Sequence, residues 1–220
     1  RKEFTANVSH ELKTPLMSIS GYAELMMNGM VPQDKMQDFS GRIYHESERL
    51  SNLVADIIQL SRLDEKNGET MFEPVDLGEL GEDVINNLQN RAAKKKIRLE
   101  YAGAPAQIQG VRHVLYEMFY NLTDNAIRYT SEGGEVKVFV GKLNGKSYFR
   151  VEDNGIGIPE NEQQRIFERF YRVDKSHSRE TGGTGLGLSI VKHGAALHYA
   201  KILLDSEPGR GTKMEILFKN

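Results

Sequence analysis

The first 63 residues contain two long stretches in which apolar side chains recur every three or four positions. Residues 4–30 and residues 34–63 each keep one apolar stripe, and this period predicts two amphipathic helices. Gly29 and Pro32 lie between the stretches and predict a helix end followed by a short connection. We therefore expect the two helices to form an antiparallel hairpin.

Each predicted helix has a second apolar flank, made by Tyr22 and Leu25 in the first helix and by Val54 and Ile58 in the second. A single hairpin cannot bury both flanks. Two copies of the hairpin would do so by forming a four-helix bundle, which predicts a homodimer. The alternative is a hairpin that packs against the remainder of its own chain.

The pattern changes after a polar segment at residues 64–70. Helical periods beyond it predict helices near residues 77–95, 112–129, 160–167 and 186–198. Alternating segments predict strands near residues 97–101, 107–110, 135–141, 147–152, 201–206 and 212–218. Helices that cover a mixed sheet place this part of the chain in the α+β class.

The composition narrows the possible functions. Lys and Arg number 29 against 31 Asp and Glu, so the chain lacks the basic charge typical of a nucleic-acid partner. It has no cysteine, which excludes disulfides, thiolate metal sites and cysteine nucleophiles. No apolar run reaches the length of a membrane span, and no signal peptide opens the chain. Because the chain begins with Arg1, we expect it to be part of a longer protein.

Three well-known motifs are incomplete in this sequence. Residues 10–14 begin like the HExxH zinc motif, but Thr14 stands where the second histidine would be. Residues 141–147 are one residue short of a P-loop and lie in a predicted hairpin. Residues 183–188 do not match GxGxxG, because Leu188 replaces the last glycine. The sequence therefore supports neither a helical zinc site nor a P-loop or Rossmann nucleotide site.

His10 lies on the polar side of the first helix, about 200° around the axis from Leu12. An exposed imidazole is mostly neutral at pH 7, which leaves a ring nitrogen available as a nucleophile. Glu11 is adjacent, the Thr14 hydroxyl lies one turn along on the same face, and Pro15 removes a backbone hydrogen bond. The alternative interpretation is a solvated histidine next to a helix kink.

Three segments of the second part together indicate a nucleotide site. Asn121 and Asn125 lie one helical turn apart, and amide oxygens suit a Mg²⁺ ion that also binds phosphate. Residues 153–157 (Asp-Asn-Gly-Ile-Gly) combine an acceptor for an exocyclic amine with glycines that allow close backbone approach. Residues 182–188 are glycine-rich and open a helix, whose free N–H groups favour phosphate. Each segment alone is commonly a turn or a polar surface.

In this order, the motifs resemble those of the catalytic core of bacterial sensor histidine kinases. The matching segments are Ser9–Leu16 (H-box), Asn121–Tyr129 (N-box), Asp153–Gly157 (G1 box), Phe167–Phe170 (F-box) and Gly183–Leu188 (G2 box). The resemblance covers essentially the whole chain, which makes it specific.

This resemblance implies a domain organisation and a set of partners. Residues 1–66 would be the dimerisation and phosphotransfer hairpin, and residues 67–220 a GHKL-type (Bergerat) α/β sandwich that binds ATP, with a linker at about 64–72. It further implies ATP and Mg²⁺, a homodimer built on a four-helix bundle, and the receiver domain of a response regulator as partner. No nucleic acid and no membrane contact are expected for this segment, which would be the cytoplasmic part of a membrane-anchored bacterial sensor.

The resemblance also assigns roles to the first helix. His10 would accept the γ-phosphoryl group of ATP and pass it to an aspartate of the regulator. Glu11 would be the acid–base partner of His10. Thr14 would orient water for dephosphorylation of the regulator.

In the second domain, the resemblance implies that Asn125 binds Mg²⁺ with the help of Asn121, and that Asp153 recognises adenine. Residues 171–185 would be the ATP lid. The other implied nucleotide contacts are Arg128 and Arg169 on phosphates, Tyr129 against the base, and Gly155, Gly157, Thr184, Gly185, Leu186 and Gly187 in the two glycine boxes.

Two other functions remain possible for such a chain. The first is a GHKL-fold ATPase, but these enzymes carry a glutamate as the base for water where this chain has Asn121. An amide cannot accept that proton, so hydrolysis should be slow. The second is a dimeric scaffold whose nucleotide site only changes its shape; in that case no phosphate would be transferred to His10.

Overall fold

The computed structural model describes residues 2–64, 71–173 and 183–219. Helices α1 (Lys2–Met27) and α2 (Met36–Asp64) form the predicted hairpin, joined through a short 3-10 turn at Gln33–Lys35. Helix α1 continues through Pro15. Near the connection, the ring of Tyr22 meets Phe39 edge-on with 5.5 Å between centroids. The prediction of a helical hairpin is thus confirmed.

The remainder of the described chain is an α/β unit. Its elements are β1 (Glu73–Asp76), α3 (Leu77–Lys94), β2 (Arg98–Gly103), β3 (Gln107–Gly110), α4 (Arg112–Tyr129), β4 (Glu135–Leu143), β5 (Lys146–Asp153), 3-10 turns at Glu160–Glu162 and Arg165–Phe167, α5 (Gly187–Leu197), β6 (Lys201–Glu207) and β7 (Gly211–Leu217).

Five strands form one mixed sheet in the order β2-β4-β5-β7-β6. Strands β2 and β4 run parallel, while the other neighbours are antiparallel. Strands β1 and β3 pair separately as a two-stranded antiparallel sheet. Asn144 and Gly145 turn the β4–β5 hairpin with φ angles of +51° and +80°. These are the left-handed values that a two-residue Asn-Gly turn requires.

The core lies between one face of the five-stranded sheet and helices α3, α4 and α5. The ring of Phe119 on α4 stacks on Phe149 of β5, with centroids 3.6 Å apart. The face of α4 that carries Asn121 and Asn125 lies near the carboxyl end of β5, at Asp153.

The structure differs from the sequence-based prediction in two elements. Strand β1 was not predicted, because it has four residues, one of them Pro74, and only Val75 is buried. The helix predicted at 160–167 is two separate 3-10 turns. The predicted linker and ATP lid fall largely on residues 65–70 and 174–182, which lie outside the described residues. None of the described helices combines the length and apolarity needed to cross a membrane.

His198 ends helix α5 in the core and makes two hydrogen bonds that require a neutral ring. Its Nε2 accepts the backbone N–H of Val111 at 2.9 Å, and its Nδ1 donates to the carbonyl of Gly194 at 2.8 Å. Burial lowers the pKa of His198. A second proton would leave the Val111 N–H opposite another donor.

We therefore predict that acid weakens the fold through His198. The unfolded chain binds the proton more tightly, so this contribution is complete above about pH 6.5 and is lost as the pH falls towards the lower folded pKa, by at most about 1.4 kcal/mol per pH unit. Urea unfolding between pH 5 and pH 8 measures this slope. His198→Gln should flatten it, whereas the control His45→Gln, at an exposed histidine on α2, should not. Equal slopes in the wild type and in His198→Gln would contradict the prediction.

Candidate functional site

A cavity of about 670 Å³ opens at the carboxyl end of β5, between helix α4, the start of α5 and one side of α2. This volume lies within the range of small-molecule and cofactor sites. The predicted nucleotide contacts among its lining residues are Asn121, Asn125, Arg128, Tyr129, Asp153, Gly157, Thr184, Gly185 and Gly187. The structure thus brings together residues from three segments that are distant in the sequence.

Asp153 lies at the end of β5, facing the cavity. Its Oδ1 accepts the backbone N–H groups of Gly155 at 2.9 Å and of Thr212 at 3.3 Å. Burial raises the pKa of this carboxyl, and the two backbone bonds oppose that change. Within the described chain, Oδ2 takes no hydrogen bond. It can therefore accept one from a ligand amine.

The glycines after Asp153 are required by the packing of the protein itself. A Cβ on Gly155 would come within 2.5 Å of the carbonyl oxygen of Tyr129. Gly157 has a φ of +69°, and a Cβ there would overlap the backbone of Glu207. Gly155 does not line the cavity, in contrast to the expectation from sequence. The two glycines let the loop lie flat between α4 and the β6–β7 turn.

Asn121 and Asn125 line the cavity from one face of α4. The Asn121 amide Nδ2 donates to the Glu117 carbonyl at 2.9 Å, which fixes the side chain. Its Oδ1 lies beside Gly187 at the start of α5, where a Cβ would approach it to 2.6 Å. Amide oxygens at this place fit a Mg²⁺ ion that shares its other ligands with phosphates and water.

Arg128 is largely buried in the cavity wall. Its guanidinium donates to Asp124 at 2.9 Å, and a Cβ on Gly183 would lie 2.6 Å from Nη1. The guanidinium therefore spans the gap between α4 and the glycine loop before α5. A cation placed beside the free N–H groups of a helix start is suited to phosphate.

Residues at the start of α5 contribute to two different surfaces. Thr184, Gly185 and Gly187 line the cavity, whereas Leu186 is fully buried away from it. Leu186 and Ile190 pack with Leu53 and Leu60 of α2. The role of Leu186 is therefore to hold the two domains together, which differs from the expected nucleotide contact.

A polar contact lies next to this apolar one. The Thr184 hydroxyl donates to the Asp56 carboxylate of α2 at 2.6 Å and also accepts the Leu186 backbone N–H at 3.2 Å. Burial raises the pKa of Asp56, and the bond from Thr184 opposes this shift. Asp56 also lines the cavity. Helix α2 thus forms part of the cavity wall.

His10 is exposed on α1, and its neighbour Glu11 connects this helix to the cavity. One Glu11 oxygen lies 3.5 Å from a guanidinium nitrogen of Arg172, which lines the cavity, and 3.9 Å from one of Arg49 on α2. The Thr14 hydroxyl donates to the His10 carbonyl at 3.2 Å. The H-box helix therefore makes direct contact with the nucleotide-binding domain.

Arg169, expected on phosphate, lies outside the cavity lining, and its guanidinium is 2.9 Å from Nε2 of His193. Arg172, three residues later, lines the cavity instead. Sequence analysis also missed Asp56, Asp124 and Arg91, which line it as well. Asp56 and Arg91 come from elements whose placement relative to α4 no local pattern reveals, whereas Asp124 lies on α4 itself, where its spacing of four residues from Arg128 was the available signal. The described residues contain no group of three or more histidine, cysteine or carboxylate side chains that could hold a metal ion.

Comparisons with known families agree with this geometry. Residues 1–66 match the His Kinase A (phospho-acceptor) domain, and residues 110–220 match the histidine kinase-, DNA gyrase B- and HSP90-like ATPase domain. The sensor-like histidine kinase SenX3 of Mycolicibacterium smegmatis is 39% identical over 96% of this chain and 56% of its own length. The phosphate regulon sensor protein PhoR of Pseudomonas aeruginosa is 36% identical over 96% of this chain and 48% of its own length.

Solved structures show the same fold. Full-length ShkA in complex with AMPPNP matches 98% of this chain and 45% of that protein, with a TM-score of 0.70 and 29% identity. Histidine kinase ThkA in complex with response regulator protein TrrA matches 98% of this chain and 60% of that protein, with a TM-score of 0.76 and 22% identity. The chain spans about half the length of the curated relatives it matches. With both domains matched in order around one cavity, the chain belongs to the bacterial sensor histidine kinases and contains their catalytic core.

Proposed function

We propose that this chain transfers the γ-phosphoryl group of ATP to His10, and then to an aspartate in the receiver domain of a response regulator. The observation that carries the proposal is the Glu11–Arg172 ion pair, because it joins the residue next to His10 to the wall of the nucleotide cavity. This ion pair thus connects the helix that carries the exposed imidazole to the cavity that we propose binds phosphate.

His10 is the nucleophile in this proposal. A nitrogen–phosphorus bond forms between its unprotonated ring nitrogen and the γ-phosphorus, the bond to the β,γ-bridging oxygen breaks, and ADP leaves. Glu11 accepts the proton of the other ring nitrogen. To do so, its carboxylate must first separate from the guanidinium groups of Arg172 and Arg49. In the second step, the aspartate oxygen of the regulator takes the phosphoryl group from the ring. In a separate phosphatase reaction, Thr14 orients the water that attacks the aspartyl phosphate of the regulator, which releases inorganic phosphate and restores the aspartate.

The cavity residues hold the nucleotide. Asp153 accepts the adenine amine, Tyr129 packs against the base, and Arg128 binds phosphate. A Mg²⁺ ion held by Asn125 and Asn121 would neutralise charge on the phosphates. The chemistry of these groups supports the assignment: one cavity is lined by a carboxylate with an oxygen that has no partner among the described residues, by two amides of which that of Asn121 is fixed by a hydrogen bond, and by a cation.

The hairpin supports a homodimer. Several large apolar side chains of α1 and α2 are exposed in the single chain: Leu16 (55%), Met17 (63%), Tyr44 (60%), Val54 (41%) and Ile58 (49%). Their burial in a four-helix bundle follows from the area they would remove from water. The match to the phospho-acceptor domain supports the same arrangement.

A plain ATPase is the main alternative, and the site disfavours it. Asn121 is an amide whose nitrogen already donates to Glu117, so it cannot act as the base for water. Glu117, one turn earlier, does not line the cavity. Within the described residues, the Glu11 carboxylate lies beside His10 instead, which favours transfer to the histidine over hydrolysis.

Replacing the acceptor should separate transfer from binding. We predict that His10→Gln incorporates no acid-labile phosphate from labelled ATP and Mg²⁺, while its affinity for ATP is unchanged, because the ring is not part of the cavity. His45→Gln, an exposed histidine on α2, is the matched control and should incorporate phosphate like the wild type. Equal phosphate incorporation in the wild type and in His10→Gln would show that His10 is not the acceptor. No phosphate incorporation in the wild type would favour the alternative of a dimeric scaffold without phosphotransfer.

Asp153→Asn should weaken ATP binding about 10- to 100-fold, because an amide N–H then faces the adenine amine and leaves a buried donor unpaired. Isothermal titration with ATP measures this loss. Asp205→Asn on β6 removes an exposed carboxylate and should bind ATP normally. An Asp153→Asn variant that binds ATP as tightly as the wild type would show that the base does not meet this carboxylate.

The dimer has its own test. A charge on the exposed apolar flank, as in Ile58→Asp, should shift the protein towards the monomer in sedimentation velocity at micromolar concentrations, because the charge would be buried in the bundle. Leu203→Asp places the same charge on the exposed strand β6 and should leave the mass unchanged. A wild type that sediments as a monomer would rule out the proposed bundle.

A further inference from the structure

Asp124, the residue before Asn125, is a buried carboxylate on α4 that is 7% exposed. It pairs with two arginines. Arg128 Nη2 lies 2.9 Å from Oδ2, and Arg91 Nη1 of helix α3 lies 2.6 Å from Oδ1. The carboxylate is thus clamped between two cations on different helices, and all three side chains line the cavity.

The two arginines compensate the cost of burying the Asp124 carboxylate and occupy both of its oxygens. A buried carboxylate without partners is strongly disfavoured, but the charge-assisted hydrogen bond from Arg128 and the ion pair with Arg91 compensate its desolvation. Both oxygens of Asp124 are engaged by arginines, so its effect on a nucleotide must pass through them. Arg128 has the side chain that is 13% exposed, whereas that of Arg91 is 45% exposed, so Arg128 is the one held within the wall.

A second donor of Arg128 lies at the glycine loop before α5. Nη1 lies beside Gly183, and Nε is buried without a hydrogen-bond partner in the part of the chain that the structure describes. The backbone at this point is fixed as well, because Lys95 Nζ donates to the carbonyls of Ile127 at 3.0 Å and of Arg128 at 2.5 Å. A flexible arginine is therefore restrained at its backbone and at one end of its guanidinium.

We propose that Asp124 is a positioning residue for nucleotide phosphate. It fixes the Arg128 guanidinium so that Nη1 faces the glycine loop before α5, and Arg91 braces Asp124 from α3. The proposal rests on the proposed function, since it assumes that Arg128 meets phosphate. A carboxylate that competed with phosphate for Arg128 would have the opposite effect: it would weaken nucleotide binding, so its removal would strengthen binding.

The sign of the effect therefore decides the proposal. Asp124→Asn should weaken binding of ADP and of ATP about 5- to 20-fold, as expected for losing one oriented charge-assisted bond, and leave adenosine unaffected. Arg91→Gln removes the half-exposed brace of Asp124 and should weaken the binding of both nucleotides by about 2- to 5-fold. Competition against a fluorescent ATP analogue measures all three ligands, and thermal unfolding checks that each variant is folded. Asp83→Asn, which breaks the exposed Asp83–Arg112 pair between the same two helices, is the matched control and should bind normally.

A double-mutant cycle tests the route through Arg128. In an Arg128→Gln background, the further change Asp124→Asn should leave ADP affinity unchanged, because the group that it orients is gone. An equal loss in both backgrounds, an equal loss for adenosine, or tighter ADP binding by Asp124→Asn would each overturn the proposal. If Asp124→Asn does not fold, the Arg91→Gln and Arg91→Gln/Arg128→Gln pair decides the question in the same way. A wild type that binds neither ADP nor ATP would overturn the proposed function itself.

Discussion

The packing of the α5 start against helix α2 is the contact on which the rest of the arrangement depends. Leu186 and Ile190 are buried with Leu53 and Leu60, and this apolar contact holds the sheet domain against the hairpin. The same loop presents Thr184 to the cavity. One short segment therefore joins the domains and forms part of the cavity proposed to bind the nucleotide.

Three carboxylates of the protein pair with hydrogen-bond donors or cations around the cavity. Asp56 bonds to Thr184, Asp124 to Arg128, and Glu11 to Arg172. In the proposed complex, a triphosphate would bring negative charge into this set and would compete with Asp56 and Glu11 for donors at the domain contact. Nucleotide binding and the position of the hairpin would then be linked by electrostatics as well as by packing. Such a linkage would give a physical basis for freeing Glu11 in the proposed reaction of His10.

Patterns within one element were sufficient to predict much of the fold. Helix α4 has the predicted bounds of residues 112–129, and the Asn-Gly turn at 144–145 joins β4 and β5 as predicted. The positions of Asn121 and Asn125 on one face also follow from helical spacing alone. Strand β1 is too short to show a period, and it pairs with β3, more than 30 residues away.

The parts of the site that could not be predicted depend on contacts between elements. Asp56 and Arg91 reach the cavity from helices that the sequence places far from the glycine loops. Arg169 and Arg172 lie in an irregular segment without a period, so spacing could not tell which one faces the cavity. The most direct test of the central claim is neutral-pH mass spectrometry of the tryptic peptide 3–13 after incubation with ATP and Mg²⁺. We predict a phosphoryl group on the single histidine of that peptide, and its absence there, or phosphate found only elsewhere, would contradict the account.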